Sequence, residues 1–282
     1  MYRLKTSLFN LNHSLDCGQV FRWSREGELW TGVVLGEVVR ISQEKENGTL
    51  LIDSNFPPEF FKHYFRLDDD LPLIYKSINK DPLIERAIEK YAGLRLIRQE
   101  PWECLISYML ATASSIPTIQ KRIVRLSEYF GEELEEGYYA FPGPKALARA
   151  DSALLDQCKM GFRRDRVQTA AKLVNSGELD LASLFEIDYA SAKNRLMKLR
   201  GIGEKVADCI LLFAFGKMEA FPVDTHIRQL VQHYHIDNNF IQKSPSLSRM
   251  GAWGRKYFGP YCGYAQQYLF YQKRIEGLLS LD

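Results

Sequence analysis

The spacing of hydrophobic and polar positions along this chain changes near residue 80. Before that point, short β-branched and aromatic runs alternate with turn residues, as in VFRWSREGELWTGVVLGEVVRISQEKENGTLLIDS, and the Asn-Gly pair at 47–48 is a hairpin signal. This pattern predicts an antiparallel meander. Pro57 and Pro58 end it, and EFFKHYFRL after them has a helical period.

From about residue 81 onward the apolar residues recur at helical spacing. Asp81 is placed as an N-cap, Pro82 as the first helical residue and Gly93 as a stop. PWECLISYMLATA is apolar nearly all round, which predicts a buried helix. Further helix candidates follow with short connectors: SIPTIQKRIVRLSEYFG, GPKALARAD, SALLDQCK, RRDRVQTAAKLVNSG, DYASAKNRLMKL, EKVADCILLFAFG, DTHIRQLVQHY and GYAQQYLFYQKRIEGLL. We therefore predict an α+β fold, with an antiparallel sheet domain over 1–90 and a mostly helical domain over 91–282.

Composition narrows the functional classes without selecting one. The chain has 282 residues, 46% of them hydrophobic, and a formal net charge of +2, which neither favours nor excludes nucleic acid. It has no apolar run of about 18 residues that would span a membrane. The cysteines are odd in number and form no C-x-x-C pair, so neither a disulfide framework nor a four-cysteine metal cluster is expected: Cys17, Cys104, Cys158, Cys209 and Cys262. These features predict a cytoplasmic protein, nucleoid-associated if it is bacterial.

The segment LRGIGEKVADC at 199–209 presents two glycines and a lysine between two predicted helices. It lacks the strand and third glycine of a dinucleotide fingerprint, and it lacks the spacing of a P-loop. The turn can be a plain helix connection, or its exposed N–H groups and the helix N-terminus can hold one phosphate. Cys209 follows Lys205 at i+4, so both side chains share a face. Asp224 in FPVDTH occupies an N-cap position from which the chain can return near Lys205.

These residues carry a family resemblance. LRGIGEKVADCILLFAFGKMEAFPVDTHIRQL resembles the helix-hairpin-helix and Gly-Pro-Asp signature of the DNA glycosylase superfamily, with the hairpin at about 191–216 and the catalytic Asp loop at 217–226. More narrowly, the chain resembles the 8-oxoguanine DNA glycosylases. That resemblance rests on CGQVFRW, RQEPWECLISYMLATASSI, MGFRRDR and GPYCGYAQQYLF, which follow the family order over most of the chain.

The resemblance implies a bifunctional glycosylase and AP lyase that excises 8-oxoguanine. Lys205 is then the nucleophile: its amine attacks C1′ of the sugar, expels the base and forms a Schiff base, after which the 3′ phosphate can be eliminated. The attack requires an uncharged amine, whereas an ordinary lysine is protonated at neutral pH. We therefore expect a water-poor pocket around Lys205. Asp224 is implied to be the essential carboxylate, which stabilises positive charge on the sugar.

The resemblance also assigns the pocket of the extruded base. Phe270 is expected to stack on one face and Cys209 to pack on the other, while Gln266 reads the Watson–Crick edge. The carbonyl of Gly18 is expected to accept a hydrogen bond from N7–H, which 8-oxoguanine has and guanine lacks. Each of these residues also has a plain structural interpretation, as core or turn residues.

Further residues are implied to hold duplex DNA with an oxidised purine. Phe162 corresponds to a wedge, Arg163 to the arginine at the opposite base and His226 to a phosphate contact. Gly201 and Gly203 form the hairpin, and the carbonyls of Met197, Leu199 and Ile202 are implied to hold a structural cation. No cofactor is expected to be required for catalysis, no membrane is expected as a partner, and we expect a monomer.

The chain departs from the pattern of the family that it resembles at the residues implied to contact the opposite base. Relatives with strict specificity for cytosine carry an asparagine cluster where this chain has Ala113-Ser114-Ser115, and Thr118 replaces an expected arginine. These changes predict a looser preference for the opposite base, with Arg163 as the main remaining reader.

Three alternatives remain open from the sequence. An endonuclease III-like enzyme also pairs lysine with aspartate, but it usually carries a four-cysteine iron–sulfur loop that is absent here. A noncatalytic DNA-binding module would use the hairpin only to grip phosphate. A structural scaffold, which ranks last, gives no reason for the lysine, glutamine and aromatic residue to occur together.

Overall fold

The computed structural model describes residues 1–236 and 246–277, with no side chains described at 233–236. Its strands are β1 (Tyr2–Leu4), β2 (Trp23–Glu26), β3 (Leu29–Val34), β4 (Glu37–Gln43), β5 (Leu50–Asp53), β6 (Glu133–Glu135) and β7 (Tyr138–Tyr139). Its α-helices are α1 (Leu11–Asp16), α2 (Pro58–Tyr64), α3 (Leu71–Ile78), α4 (Pro82–Lys90), α5 (Pro101–Leu110), α6 (Ile116–Phe130), α7 (Pro144–Ala148), α8 (Ser152–Gln157), α9 (Arg164–Ser176), α10 (Ser183–Glu186), α11 (Tyr189–Met197), α12 (Glu204–Phe213), α13 (Thr225–Ile236), α14 (Leu247–Phe258) and α15 (Cys262–Glu276). The predicted α+β order, a sheet followed by a mostly helical domain, is confirmed.

The N-terminal sheet has the strand order β1-β5-β4-β3-β2, and all its neighbours are antiparallel. The predicted meander accounts for β2 to β5, whereas β1 pairs with β5 from the far end of the segment. Two-residue turns join β2 to β3 and β3 to β4, and in the second turn both Leu35 and Gly36 have positive φ (47° and 78°). The Asn-Gly pair also connects two strands, but through a longer loop in which the Asn47 side chain accepts a hydrogen bond from the Thr49 N–H.

The predicted start and stop of α4 are confirmed. The side chain of Asp81 accepts hydrogen bonds from the N–H groups of Leu83 and Ile84, at 2.9 and 3.2 Å, and Pro82 is the first helical residue. Gly93 has φ +83°, and a Cβ at this position would lie 2.8 Å from the backbone nitrogen of Asn10. Only glycine therefore lets the chain return close to α1.

Two hydrophobic cores organise the chain. The smaller core lies between the five-stranded sheet and α2, and the larger one fills the helical part. Helices α3 and α4 precede residue 90, yet their apolar faces belong to the larger core, and α4 packs on α15. The domain boundary at residue 90 stays a prediction. None of the helices in the described ranges is long and apolar enough to cross a membrane.

Candidate active site

The glycine turn joins α11 to α12 and leaves the N-terminus of α12 open. Gly201 has φ +99°, and a Cβ there would lie 2.5 Å from the Cδ atom of Arg166, so a side chain would strain the backbone and displace that arginine. The turn is closed by a 3.1 Å hydrogen bond from the Ile202 N–H to the Leu199 carbonyl. Gly203 is the N-cap and supplies no capping side chain. Backbone N–H groups and the positive end of the helix dipole are thus available to an anion.

Lys205 lies in the first turn of α12 and is half-buried. Its Nζ atom stands 5.4 Å from the ring centre of Tyr108. Cys209, one turn later, is buried. Burial raises the pKa of the Cys209 thiol to about 12, although the neighbouring Lys205 side chain opposes the rise. The thiol is therefore neutral near pH 7 and packs as a small apolar group.

Asp224 comes at the end of the loop after α12, immediately before α13. Its Oδ1 atom accepts a 2.8 Å hydrogen bond from the Ile227 N–H, which confirms the predicted capping role. The side chain is half-buried and lines the same two cavities as Lys205. The cap fixes the Asp224 carboxylate at the start of α13. Lys205 and Asp224 therefore line the same space from the starts of two different helices.

The inner of these cavities has a volume of about 60 Å³. Its lining contains all the predicted residues of catalysis and of the base pocket: Gly18, Lys205, Cys209, Asp224, Gln266 and Phe270. A larger cavity of about 990 Å³ adjoins it and shares Gly18, Tyr108, Lys205, Asp224 and Phe270. The fold thus brings together residues from four separate sequence segments around one cavity.

Gly18 faces this cleft in a backbone conformation with φ +85°. A Cβ here would lie 3.0 Å from Cδ1 of Ile116, 3.1 Å from Nη1 of Arg274 and 3.4 Å from Cε1 of Phe270. The adjacent carbonyl of Cys17 accepts a 3.0 Å hydrogen bond from Nε2 of Gln267. The loop is therefore held in place from α15 while its glycine leaves the pocket open.

Gln266 and Phe270 lie one turn apart on α15. Gln266 is 4% exposed, and within the described residues its buried Oε1 atom has no hydrogen-bond partner. Buried amide oxygens nearly always have a partner, so the Gln266 amide keeps an acceptor that the described residues do not use. Phe270 is half-buried and meets the ring of His226 edge-on at 5.9 Å. His226 lines only the larger cavity of the two.

The two residues predicted for the opposite strand lie outside both cavities. Phe162 is 58% exposed, with the guanidinium of Arg163 at 4.1 Å and that of Arg166 at 4.8 Å from its ring centre. Arg163 is buried, and its Nε atom donates to the Thr112 carbonyl at 2.9 Å. A second donor reaches the Ala113 carbonyl at 3.3 Å. To read a base, Arg163 must exchange these bonds, so its role in readout stays a prediction.

The residues implied to hold a cation lie at the end of α11 and in the turn. Met197 is the last residue of α11, where carbonyls lack partners within the helix. The Leu199 carbonyl already accepts from Ile202 and keeps a second lone pair. The described residues include no group of three His, Cys, Asp or Glu side chains that could hold a metal. A cation bound by these carbonyls stays a prediction.

Sequence reasoning assigned no role to several residues that shape the site. Tyr108 lies beneath Lys205, Gln267 anchors the loop before Gly18, and Ile116 and Arg274 close over that glycine. Tyr108, Ile116 and Gln267 lie inside segments that resemble the family, whereas Arg274 lies beyond them. Their contacts join residues that are far apart in the chain, which no local period reveals.

Comparison with known proteins agrees with this geometry. Residues 1–105 match the family model of the 8-oxoguanine DNA glycosylase N-terminal domain, and residues 106–255 match that of the HhH-GPD superfamily base excision DNA repair proteins. A probable N-glycosylase/DNA lyase of Methanothermobacter thermautotrophicus is 30% identical over 79% of this chain and 76% of its own length.

Solved structures match over nearly the whole chain. MBOgg1 in complex with a low-affinity DNA ligand superposes with a TM-score of 0.90 at 34% identity, covering 98% of this chain and 96% of that one. The Clostridium acetobutylicum 8-oxoguanine glycosylase/lyase, bound to DNA with cytosine opposite 8-oxoguanine, gives 0.88 at 31% identity and covers 99% of both chains. This chain belongs to the HhH-GPD superfamily of base excision DNA repair proteins, and within it to the 8-oxoguanine DNA glycosylases.

Proposed function

We propose that the protein is a bifunctional DNA glycosylase and AP lyase that removes 8-oxoguanine from duplex DNA through a Schiff base at Lys205. The observation that carries this proposal is the single cavity that Lys205, Asp224 and Gln266 line together. An amine, a carboxylate and an amide around one recess suit nucleophilic displacement of a base that is held by its edge.

In this mechanism each residue has a separate task. The amine of Lys205 attacks C1′ as the bond from C1′ to the base breaks, and the electron pair leaves with the base. Asp224 stabilises the positive charge that develops on the sugar. The Schiff base then permits loss of the 3′ phosphate by elimination. Cys209 does not compete as a nucleophile because its thiol stays neutral near pH 7.

The extruded base enters between Phe270 and Cys209. Gln266 offers an amide to its Watson–Crick edge, and the Gly18 carbonyl is assigned to N7–H. Extrusion costs a few kcal/mol, and the exposed ring of Phe162 is suited to fill the space that the base leaves in the duplex. The open N-terminus of α12 holds a backbone phosphate beside the lesion. A protein with this role works at the chromosome, and for a bacterial chain we infer a cytoplasmic, nucleoid-associated location.

The test is excision from duplexes that carry 8-oxoguanine, guanine or an oxidised pyrimidine, each with and without borohydride. The proposal predicts base release and a covalent adduct with 8-oxoguanine, and neither in Lys205→Gln. A preference for the oxidised pyrimidine would favour the endonuclease III-like alternative. Binding to all duplexes without release or adduct would favour a noncatalytic DNA-binding module.

A further inference from the structure

A third cavity lies away from Lys205, between the sheet and the helical part of the chain. Its volume is about 390 Å³, within the range of about 300–1,000 Å³ that is typical of small-molecule sites. Most of its walls are apolar. Large apolar side chains come from β3, the β3–β4 turn, α2, α10 and the segment after α12: Val33, Val34, Leu35, Phe60, Phe185 and Phe215. Neither Lys205 nor Asp224 contributes to it.

The unusual member of this lining is Arg66. It is only 4% exposed, and within residues 1–236 and 246–277 its buried Nε atom has no hydrogen-bond partner. The carboxylate of Asp69 lies 3.8 Å from its Nη1 atom, and that carboxylate already accepts from the Tyr264 hydroxyl at 2.8 Å and from Arg98 at 3.3 Å. A buried guanidinium with incomplete partners is costly, and burial lowers the pKa of Arg66 accordingly.

The backbone of Arg66 is strained as well. Its φ is +52°, a region that residues other than glycine, asparagine and aspartate seldom adopt. Its carbonyl accepts a hydrogen bond from the guanidinium of Arg95, which ties the main chain in place. Beside the guanidinium, Gly216 has φ +65°, and a Cβ there would lie 3.2 Å from Nη2 of Arg66. Arg66 is therefore held rigidly at the wall of the cavity.

Other charged side chains of the lining have partners. Arg98 donates to Asp68 at 2.7 Å, and Arg22 pairs with Glu103 at 3.3 Å. The carboxylate of Glu100 accepts from two N–H groups at the start of α5. Among the three arginines of the lining, Arg66 has the most distant carboxylate, at 3.8 Å, so an anionic ligand gains most at that end of the cavity.

We propose that this cavity binds a small apolar carboxylate, whose oxygens accept hydrogen bonds from Arg66 and whose hydrocarbon body packs on Val34 and Phe215. A carboxylate fits because its planar pair of oxygens matches the donors of a guanidinium. The apolar walls favour a hydrocarbon body over a sugar or a polyphosphate. Val20 and Phe21 form part of the wall, so the ligand lies behind the loop that carries Gly18.

The test is calorimetric titration of the full chain with sodium octanoate, with octanamide as the uncharged control. We expect octanoate to bind at least about tenfold more tightly than octanamide, because only the carboxylate pairs with Arg66. Arg66→Gln should abolish that difference. Equal binding of the two ligands, or no detectable binding of octanoate at about 10 mM, would overturn the proposal.

A second pair of variants tests the proposal even if Arg66→Gln does not fold. Leu35 is 56% exposed at the mouth of the cavity and occupies a positive-φ turn position where asparagine and aspartate are favoured. Leu35→Asp adds a like charge and should weaken octanoate binding by about threefold or more, while Leu35→Asn should keep it within about twofold. If the two variants bind octanoate equally well, the ligand carboxylate is not held in this cavity.

Discussion

The Nζ atom of Lys205 lies 5.4 Å from the ring centre of Tyr108. The two residues belong to α12 and α5, so the contact forms only when the helices pack. The ring is fixed on both sides, since its hydroxyl donates to the Gln19 carbonyl at 3.0 Å and its face stacks on Phe213 at 5.5 Å. A rigid aromatic surface of this kind limits the positions that the lysine can adopt.

We therefore predict that the ring of Tyr108 matters for the first chemical step and that its hydroxyl does not. Tyr108→Leu should slow Schiff-base formation about tenfold, because the amine loses its support, while Tyr108→Phe should stay within about threefold of the parent. Single-turnover borohydride trapping measures both. Equal rates for the two variants would show that the ring has no positioning role.

Substitution of Gln266 is expected to affect thermal stability and excision activity differently. Gln266→Leu removes a buried unpartnered acceptor, so thermal stability should hold or rise, whereas excision of 8-oxoguanine should fall about tenfold or more. Gln272 on the same helix is a matched control, because its buried Oε1 atom is also unpartnered but lies outside both active-site cavities. Gln272→Leu should leave excision unchanged, and a parallel loss in both variants would indicate damage to α15.

Gly18 is predicted to tolerate no side chain. Gly18→Ala introduces a methyl group within 3.0 Å of Ile116 and should reduce excision about tenfold or more. Gly137 has a similar φ, +79° against +85°, with no atom within 4 Å of an added Cβ. Both alanine variants should lose about 1 kcal/mol of stability from backbone strain, but only Gly18→Ala should lose excision. Normal excision by Gly18→Ala would exclude a tight contact between that loop and the base.

Opposite-base selectivity is expected to be weak. Ala113 and the two serines after it offer no long amide, and Arg163 is already bonded to main-chain carbonyls at Thr112 and Ala113. We predict that excision opposite C exceeds that opposite A, G or T by less than about 100-fold, or about 2.7 kcal/mol. Rates on the four duplexes measure this ratio. A larger preference for C would show that Arg163 leaves those carbonyls and reads the base.

The local sequence pattern predicted the helix ends that depend on interactions between residues close in the chain. Asp81, Pro82 and Gly93 delimit α4 as expected, because caps and stops depend on neighbouring residues. The edge strand β1 and the helix α14 were not predicted. The pairing of β1 with β5 joins distant segments, and α14 contains Gly251 and Gly254, which lower its intrinsic helix propensity.

In the active site too, some residues were predicted from the sequence, whereas contacts that depend on helix packing were not. Lys205, Asp224 and the base-pocket residues were expected from family resemblance, and the fold places them around one cavity. The contact of Tyr108 with Lys205 was not predicted, because it depends on the packing of α5 against α12. The bonding of Arg163 was also unforeseen, since a buried arginine donating to loop carbonyls has the same sequence as one that faces DNA.

The most direct measurement is peptide mapping of the borohydride-reduced complex between the protein and an 8-oxoguanine duplex. After nuclease and protease digestion, mass spectrometry locates the residue that carries the deoxyribose remnant. We expect the added mass on Lys205, in the peptide that contains GIGEK. The added mass on any other residue, or complete base release without a reducible adduct, would contradict a Schiff base at Lys205.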